Sequence, residues 1–135
     1  MNDTQPPKTV WPTLNYADAP AAIRFLVDVL GFEERTVHTS DEDETFVEHA
    51  ELCWPEGGGV MLGTADPDGN PFKRLPTGVG SNYVVTDDPD VVLARVEAAG
   101  AEVVREMRDE DYGSRGFSAR DPEGNLWSFG TYRGT

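Results

Sequence analysis

His49-Ala50-Glu51 sets an imidazole and a carboxylate two residues apart. In a strand, where side chains alternate between faces, His49, Glu51 and Cys53 would share one side. Such a trio suggests proton transfer or a zinc site. A deaminase-type zinc centre needs a second motif with two cysteines, and Cys53 is the single cysteine of the chain. At ~3.3 Å per residue, His49 and Cys53 stand roughly 13 Å apart along the strand, too far to share one ion. The trio therefore reads as an ordinary strand face. His38, the other histidine, sits near Arg35 and Thr39 and reads as solvated. Cys53 has no basic neighbour in sequence to activate its thiol and reads as a small, half-buried filler.

Two acidic runs invite a cation. Ser40-Asp41-Glu42-Asp43-Glu44 lacks the glycine and the alternating ligand spacing of a calcium loop and reads as a solvated hairpin tip. Asp109-Glu110-Asp111-Tyr112-Gly113-Ser114-Arg115 brings carboxylates, a phenol and a guanidinium together before a strand. It reads either as a charged hairpin or as a substrate contact. No Gly-x-Ser-x-Gly, phosphate loop or dinucleotide fingerprint is present, and Gly57-Gly58-Gly59 precedes a strand-like run where a phosphate loop would precede a helix.

The elements that must position these residues belong to one domain, since 135 residues is too short for two. Eleven basic against 25 acidic residues give a net charge of −14. That balance excludes nucleic acid and anionic membrane surfaces as natural partners, because both attract faces rich in Lys and Arg. No apolar stretch approaches the roughly 20 residues of a membrane span. The opening Met1–Lys8 is polar, carries Pro6-Pro7 and reads as a tail with no signal-peptide core, so the expected location is the cytoplasm.

Self-similarity organises the rest. Residues 18–33 align with 87–102 at a shift of 69, with Asp18/Asp87, Pro20/Pro89, Val27/Val96, Gly31/Gly100 and Glu33/Glu102 identical. Pro55-Glu56-Gly57 aligns with Pro122-Glu123-Gly124 at a shift of 67, and Gly63-Thr64 with Gly130-Thr131. Asp18 and Asp88 suit helix N-caps, with Pro20 and Pro89 in the first turns. Gly31 and Gly100 suit left-handed stops. Each helix is preceded by one strand-like run and followed by three, so the unit is βαβββ, and hairpins rule out a doubly wound parallel fold. The expected layout is a flexible tail over 1–9, then one domain over 10–135. Within that domain, module 1 covers about 10–65, a linker 66–79 and module 2 about 80–133.

Tyr16-Ala17-Asp18, Ile23-Arg24-Phe25-Leu26, Leu30-Gly31-Phe32 and Asp121-Pro122-Glu123-Gly124-Asn125-Leu126-Trp127-Ser128-Phe129-Gly130 resemble the vicinal oxygen chelate superfamily of glyoxalases, bleomycin-resistance proteins and ring-cleaving dioxygenases. The resemblance runs from about Val10 to Tyr132 and includes the duplication. It implies an α+β fold in which two βαβββ modules form a curved mixed sheet around a cup, helices on the outer face. Val60, Leu62, Trp127 and Phe129 should then pack beneath the helices, with Met61 and Ser128 facing the cup. Family enzymes hold a metal through His or Glu on the first and last strands of each unit. Carried onto this chain those positions are Trp11, Met61, Ser81 and Ser128, none of which is His, Asp, Glu or Cys. The resemblance therefore implies no metal, no cofactor and no catalytic residue carried over.

It implies instead a ligand-binding set of Trp11, Thr13, Asn15, Met61, Ser81, Tyr83 and Ser128, projecting into one cavity. The expected function is metal-independent binding of a small organic molecule, in its most concrete form sequestration of a cationic aromatic natural product. A glyoxalase-like lyase or isomerase, or another metal-independent enzyme, is the alternative; an interaction subunit with a vestigial cup is a third. The family's open-sided cup implies a homodimer.

Overall fold

Strand-forming and helix-forming runs alternate as the duplication requires. In a computed structural model describing residues 8–135 they become eight strands and two helices. Residues 1–7, most of the expected tail, lie outside the described residues. Module 1 holds β1 (Thr13–Tyr16), α1 (Ala19–Phe25), β2 (Glu33–Thr39), β3 (Val47–Cys53) and β4 (Gly59–Thr64). Module 2 holds β5 (Ser81–Val85), α2 (Pro89–Ala98), β6 (Val103–Asp109), β7 (Arg115–Arg120) and β8 (Leu126–Gly130).

The local signals act as anticipated. The carboxylate of Asp18 accepts from Ala21 N at 3.1 Å and that of Asp88 from Val91 N at 3.3 Å, covering amides that a helix leaves unpaired at its start. Gly31 ends the first helix at φ 103°, a conformation that costs glycine little. Before it, α1 widens into a π-helical turn, Leu26–Leu30, in which the Leu26 carbonyl accepts from both Gly31 N and Phe32 N. No residue type in Leu26–Leu30 announces that wider turn.

The strands form two four-stranded mixed sheets, ordered β1-β4-β3-β2 and β5-β8-β7-β6, rather than one sheet of eight, and no closed barrel results. In each, the first and last strands of the module run parallel and the rest antiparallel. The helix-side faces of both sheets merge into one core. Val60, Leu62, Trp127 and Phe129 are buried there, while their neighbours Met61 and Ser128 point to the other face. Phe32 meets Trp127 edge-on at 5.6 Å between ring centroids, and Trp54 meets Phe129 at the same distance, so aromatic rings stitch module 1 to module 2. Among the described residues no helix is long and apolar enough to cross a membrane.

Candidate functional site

With the helix-side faces spent on the shared core, each sheet turns its other face outward. On module 1 that face carries the row Thr13–Met61–Glu51–Thr36, read across the register of β1, β4, β3 and β2. On module 2 the corresponding row is Tyr83–Ser128–Ser118–Arg105. Of the expected set, Thr13 and Met61 lie in the first row and Tyr83 and Ser128 in the second.

The expected single cavity is not formed within one chain. Thr13, Asn15 and Met61 floor a cleft of about 460 Å³ on module 1. Ser81 and Tyr83 line a second depression of about 410 Å³, between the lead-in to β1 and the edge of β5. Asn82 lines it too, and its buried Nδ2 has no hydrogen-bond partner. Tyr83 and Ser128 border a small hollow of about 60 Å³ at the far end of module 2. Trp11 borders none of the three. Its ring lies over Gly59, 2.8 Å from where a β-carbon on that glycine would stand, and the Lys8 ammonium sits 5.8 Å from its centroid. The physical reason for the separation is topological. The two modules bury the same kind of face against each other, so their outward faces cannot meet within one chain.

The linker roofs the module 1 cleft. Asn15 Nδ2 donates to the Phe72 carbonyl at 2.6 Å, and Lys73 Nζ donates to the Glu48 carbonyl at 2.9 Å, drawing 66–79 across the strands. Phe72 and Val79 line the cleft yet remain 76% exposed. Desolvation lowers the Lys73 ammonium from its ordinary pKa, with Glu48 and Asp66 pulling the other way.

Both histidines are more engaged than spacing suggested. His49 lines the cleft, and its Nε2 lies 2.8 Å from Glu51 Oε2. His38 is exposed, as its solvated reading required, and also faces His49 directly across β2 and β3, with stacked rings 6.4 Å apart. Cross-strand register, invisible in either segment alone, makes this pair. Cys53 is buried. Among the described residues no three His, Cys, Asp or Glu side chains group as metal ligands. At the positions where family enzymes ligate, the chain offers an indole, a thioether and two hydroxyls, and Ser128 Oγ is already paired with Ser118 Oγ at 2.7 Å. That donor set does not fit a divalent cation.

The acidic run 109–115 is partly neutralised in place. Arg115 bridges Asp90 and Asp109, and Arg108 pairs with Glu110. Hydrogen bonding from Arg115 lowers the Asp90 carboxyl below its ordinary range.

Sequence reasoning missed the role of the repeated Pro-Glu-Gly turns. Glu123, from module 2, accepts from Ala17 N at 2.7 Å and Asp18 N at 2.8 Å at the head of α1. Glu56, from module 1, accepts from Thr86 Oγ1 at 2.7 Å and Asp87 N at 2.8 Å at the head of α2. Each module clamps the other's helix. The signal was the repetition of glutamate at one turn position, which a turn alone does not need.

The sequence signature of the Glyoxalase/Bleomycin resistance protein/Dioxygenase superfamily matches residues 8–129. The crystal structure of TioX from Micromonospora sp. ML1 is 30% identical, with a TM-score of 0.73 over 93% of this chain and 100% of that one. A glyoxylase/bleomycin resistance protein/dioxygenase domain from Frankia sp. EAN1pec is similar at 20% identity and TM-score 0.68, covering 96% of this chain and 100% of that one. A glyoxalase/bleomycin resistance protein from Streptomyces sp. CB03234 gives 19% and 0.66 over 87% and 94%. The last two bear on the fold alone. No curated protein matches significantly in sequence.

Proposed function

Since the chain belongs to the glyoxalase/bleomycin resistance protein/dioxygenase superfamily, we propose that it is a metal-independent binding protein that sequesters a small aromatic molecule. The observation that carries this reading is the donor set on the outward faces. Where family enzymes hold a metal, this chain has Trp11, Met61, Ser81 and Ser128. These groups, with the Thr13 hydroxyl and Asn15 amide on the cleft floor, suit stacking and orientation more than bond-breaking. The net charge of −14 favours encounter with a cationic ligand, and an indole or phenol face holds a desolvated cation with ~2 kcal/mol.

The working form is a homodimer. In one chain the expected ligand-binding residues are divided among separate depressions, and a second copy is what can set a module 2 face over a module 1 cleft. The exposed apolar side chains Phe72, Leu75 and Val79 at the rim of that cleft are the surface such a copy would cover.

Calorimetric titration with cationic aromatic antibiotics, in the presence of a chelator, tests the reading. Saturable binding by the wild type, weakened at least severalfold in Met61→Ala on the cleft floor, is expected; no binding by any such compound would refute it. One observation favours a second reading, a metal-independent enzyme: the His49–Glu51 pair at the cleft. Turnover of a glyoxalase-type substrate by chelator-treated protein, abolished in His49→Ala, would decide for it.

A further inference from the structure

The hollow at the far end of module 2 has a chemistry of its own. Arg105 ends the row Tyr83–Ser128–Ser118–Arg105 and borders the hollow. Its guanidinium, like those of Arg24, Arg35 and Arg74, makes no ion pair or side-chain hydrogen bond with any described residue, whereas Arg95, Arg108, Arg115, Arg120 and Arg133 do; of the unpaired four, Arg105 is the one that borders this hollow. Glu110 also borders the hollow, but its carboxylate is taken by Arg108 Nε. The uncompensated charge there is therefore positive, in a chain whose net charge is −14. At physiological salt the Debye length is about 8 Å, so distant carboxylates are screened and Arg105 sets the local field.

The neighbours complete a receptor. Ser128 borders the hollow, and its Oγ lies 2.7 Å from that of Ser118 beside it; with Ser118 O–H as the donor of that bond, the Ser128 proton is left to donate into the hollow. Tyr83 O–H donates to the Tyr132 carbonyl at 2.8 Å, and Tyr112 meets Tyr132 edge-on at 5.9 Å, giving three phenol rings at one rim. We infer that this hollow is an acid-recognising subsite, in which Arg105 and Ser128 take a carboxylate borne by an aromatic ligand. The inference rests on the binding function proposed above and narrows its ligand to an amphoteric aromatic molecule. The cationic ring lies against the phenol rings at the rim, and the carboxylate is anchored at Arg105.

The test is calorimetric titration of the full-length chain with 9-aminoacridine-4-carboxylic acid and with its 4-carboxamide, which keeps the cationic ring and removes the acid. The wild type should bind the acid about tenfold more tightly than the amide, the advantage of a charge-assisted hydrogen bond. Arg105→Gln should abolish the preference and leave amide binding unchanged. Arg105 is exposed and unpaired, so this variant should keep the wild-type thermal midpoint, and Ser128→Ala should lose part of the preference independently. Equal binding of acid and amide by the wild type would overturn the subsite and leave the binding function standing. A preference that survives in Arg105→Gln would overturn it too. Binding of neither compound, with a cationic aromatic antibiotic still bound, would overturn the subsite alone; binding of none of them would sink both.

Discussion

Asp121 shows how one side chain can hold two modules together. Its Oδ2 accepts from Tyr16 O–H at 2.7 Å and from Asn125 Nδ2 and Trp127 Nε1 at 3.0 Å each, while Oδ1 accepts from the amides of Glu123, Gly124 and Asn125. A buried carboxylate is tolerable when its lone pairs are answered in this way. Desolvation first, and then the neighbouring Asp121 charge, push the Tyr16 phenol far above its ordinary value of 10.0. The folded chain keeps a proton that the unfolded chain releases above pH 10. This contribution to stability is complete below pH 10 and falls as pH rises further. Tyr16→Phe should lose about 1–2 kcal/mol at neutral pH by stripping a donor from Asp121. It should also show a shallower alkaline decline in urea unfolding than the wild type. Parallel declines in the two proteins would show that Tyr16 does not govern alkaline unfolding.

At the scale of elements, the glutamates of the two Pro-Glu-Gly turns act as reciprocal caps, each reaching the start of a helix in the other module. A carboxylate there pairs with free amides and meets the positive end of the helix dipole. Glu56→Ala and Glu123→Ala should each cost about 1–2 kcal/mol. Because the two share no partner, the double variant should come within about 0.5 kcal/mol of the sum. A coupling above about 1 kcal/mol would mean that the clamps open as a unit. The caps Asp18 and Asp88 were legible in sequence because a cap bonds to its own chain three residues on. The clamps were not, because Glu123 and Ala17 are brought together only by the packing of one module on the other. Arg95 follows the same rule: from α2 it donates to the Val29 and Leu30 carbonyls at 3.0 Å and closes the end of the first helix.

At the scale of the whole molecule, the arrangement leaves two outward sheet faces, with β1 and β2 at the ends of one sheet and β5 and β6 at the ends of the other. Sedimentation at micromolar concentration should show a species of twice the 14.8 kDa chain. Replacing Phe72, Leu75 and Val79 together by serine should shift it toward the monomer and weaken ligand binding in parallel. A monomer at every concentration, with binding intact, would mean that one face alone is the receptor.

Periodicity and alternation are short-range properties, and they settled as much as short-range physics can. The duplicated βαβββ unit, the helix caps, and the burial of Trp127 and Phe129 against the outward turn of Ser128 all follow from what a residue does relative to its near neighbours. The fate of the candidate site does not. Whether Thr13 and Tyr83 share a cavity depends on which faces the two modules bury against each other. That choice was made by contacts such as Phe32 with Trp127 and Trp54 with Phe129, between residues far apart in the chain. The same packing stacked His38 on His49 and drew Phe72 over Asn15. The free-energy difference between burying one face or the other belongs to the assembled pair of sheets, so no window of sequence contains it.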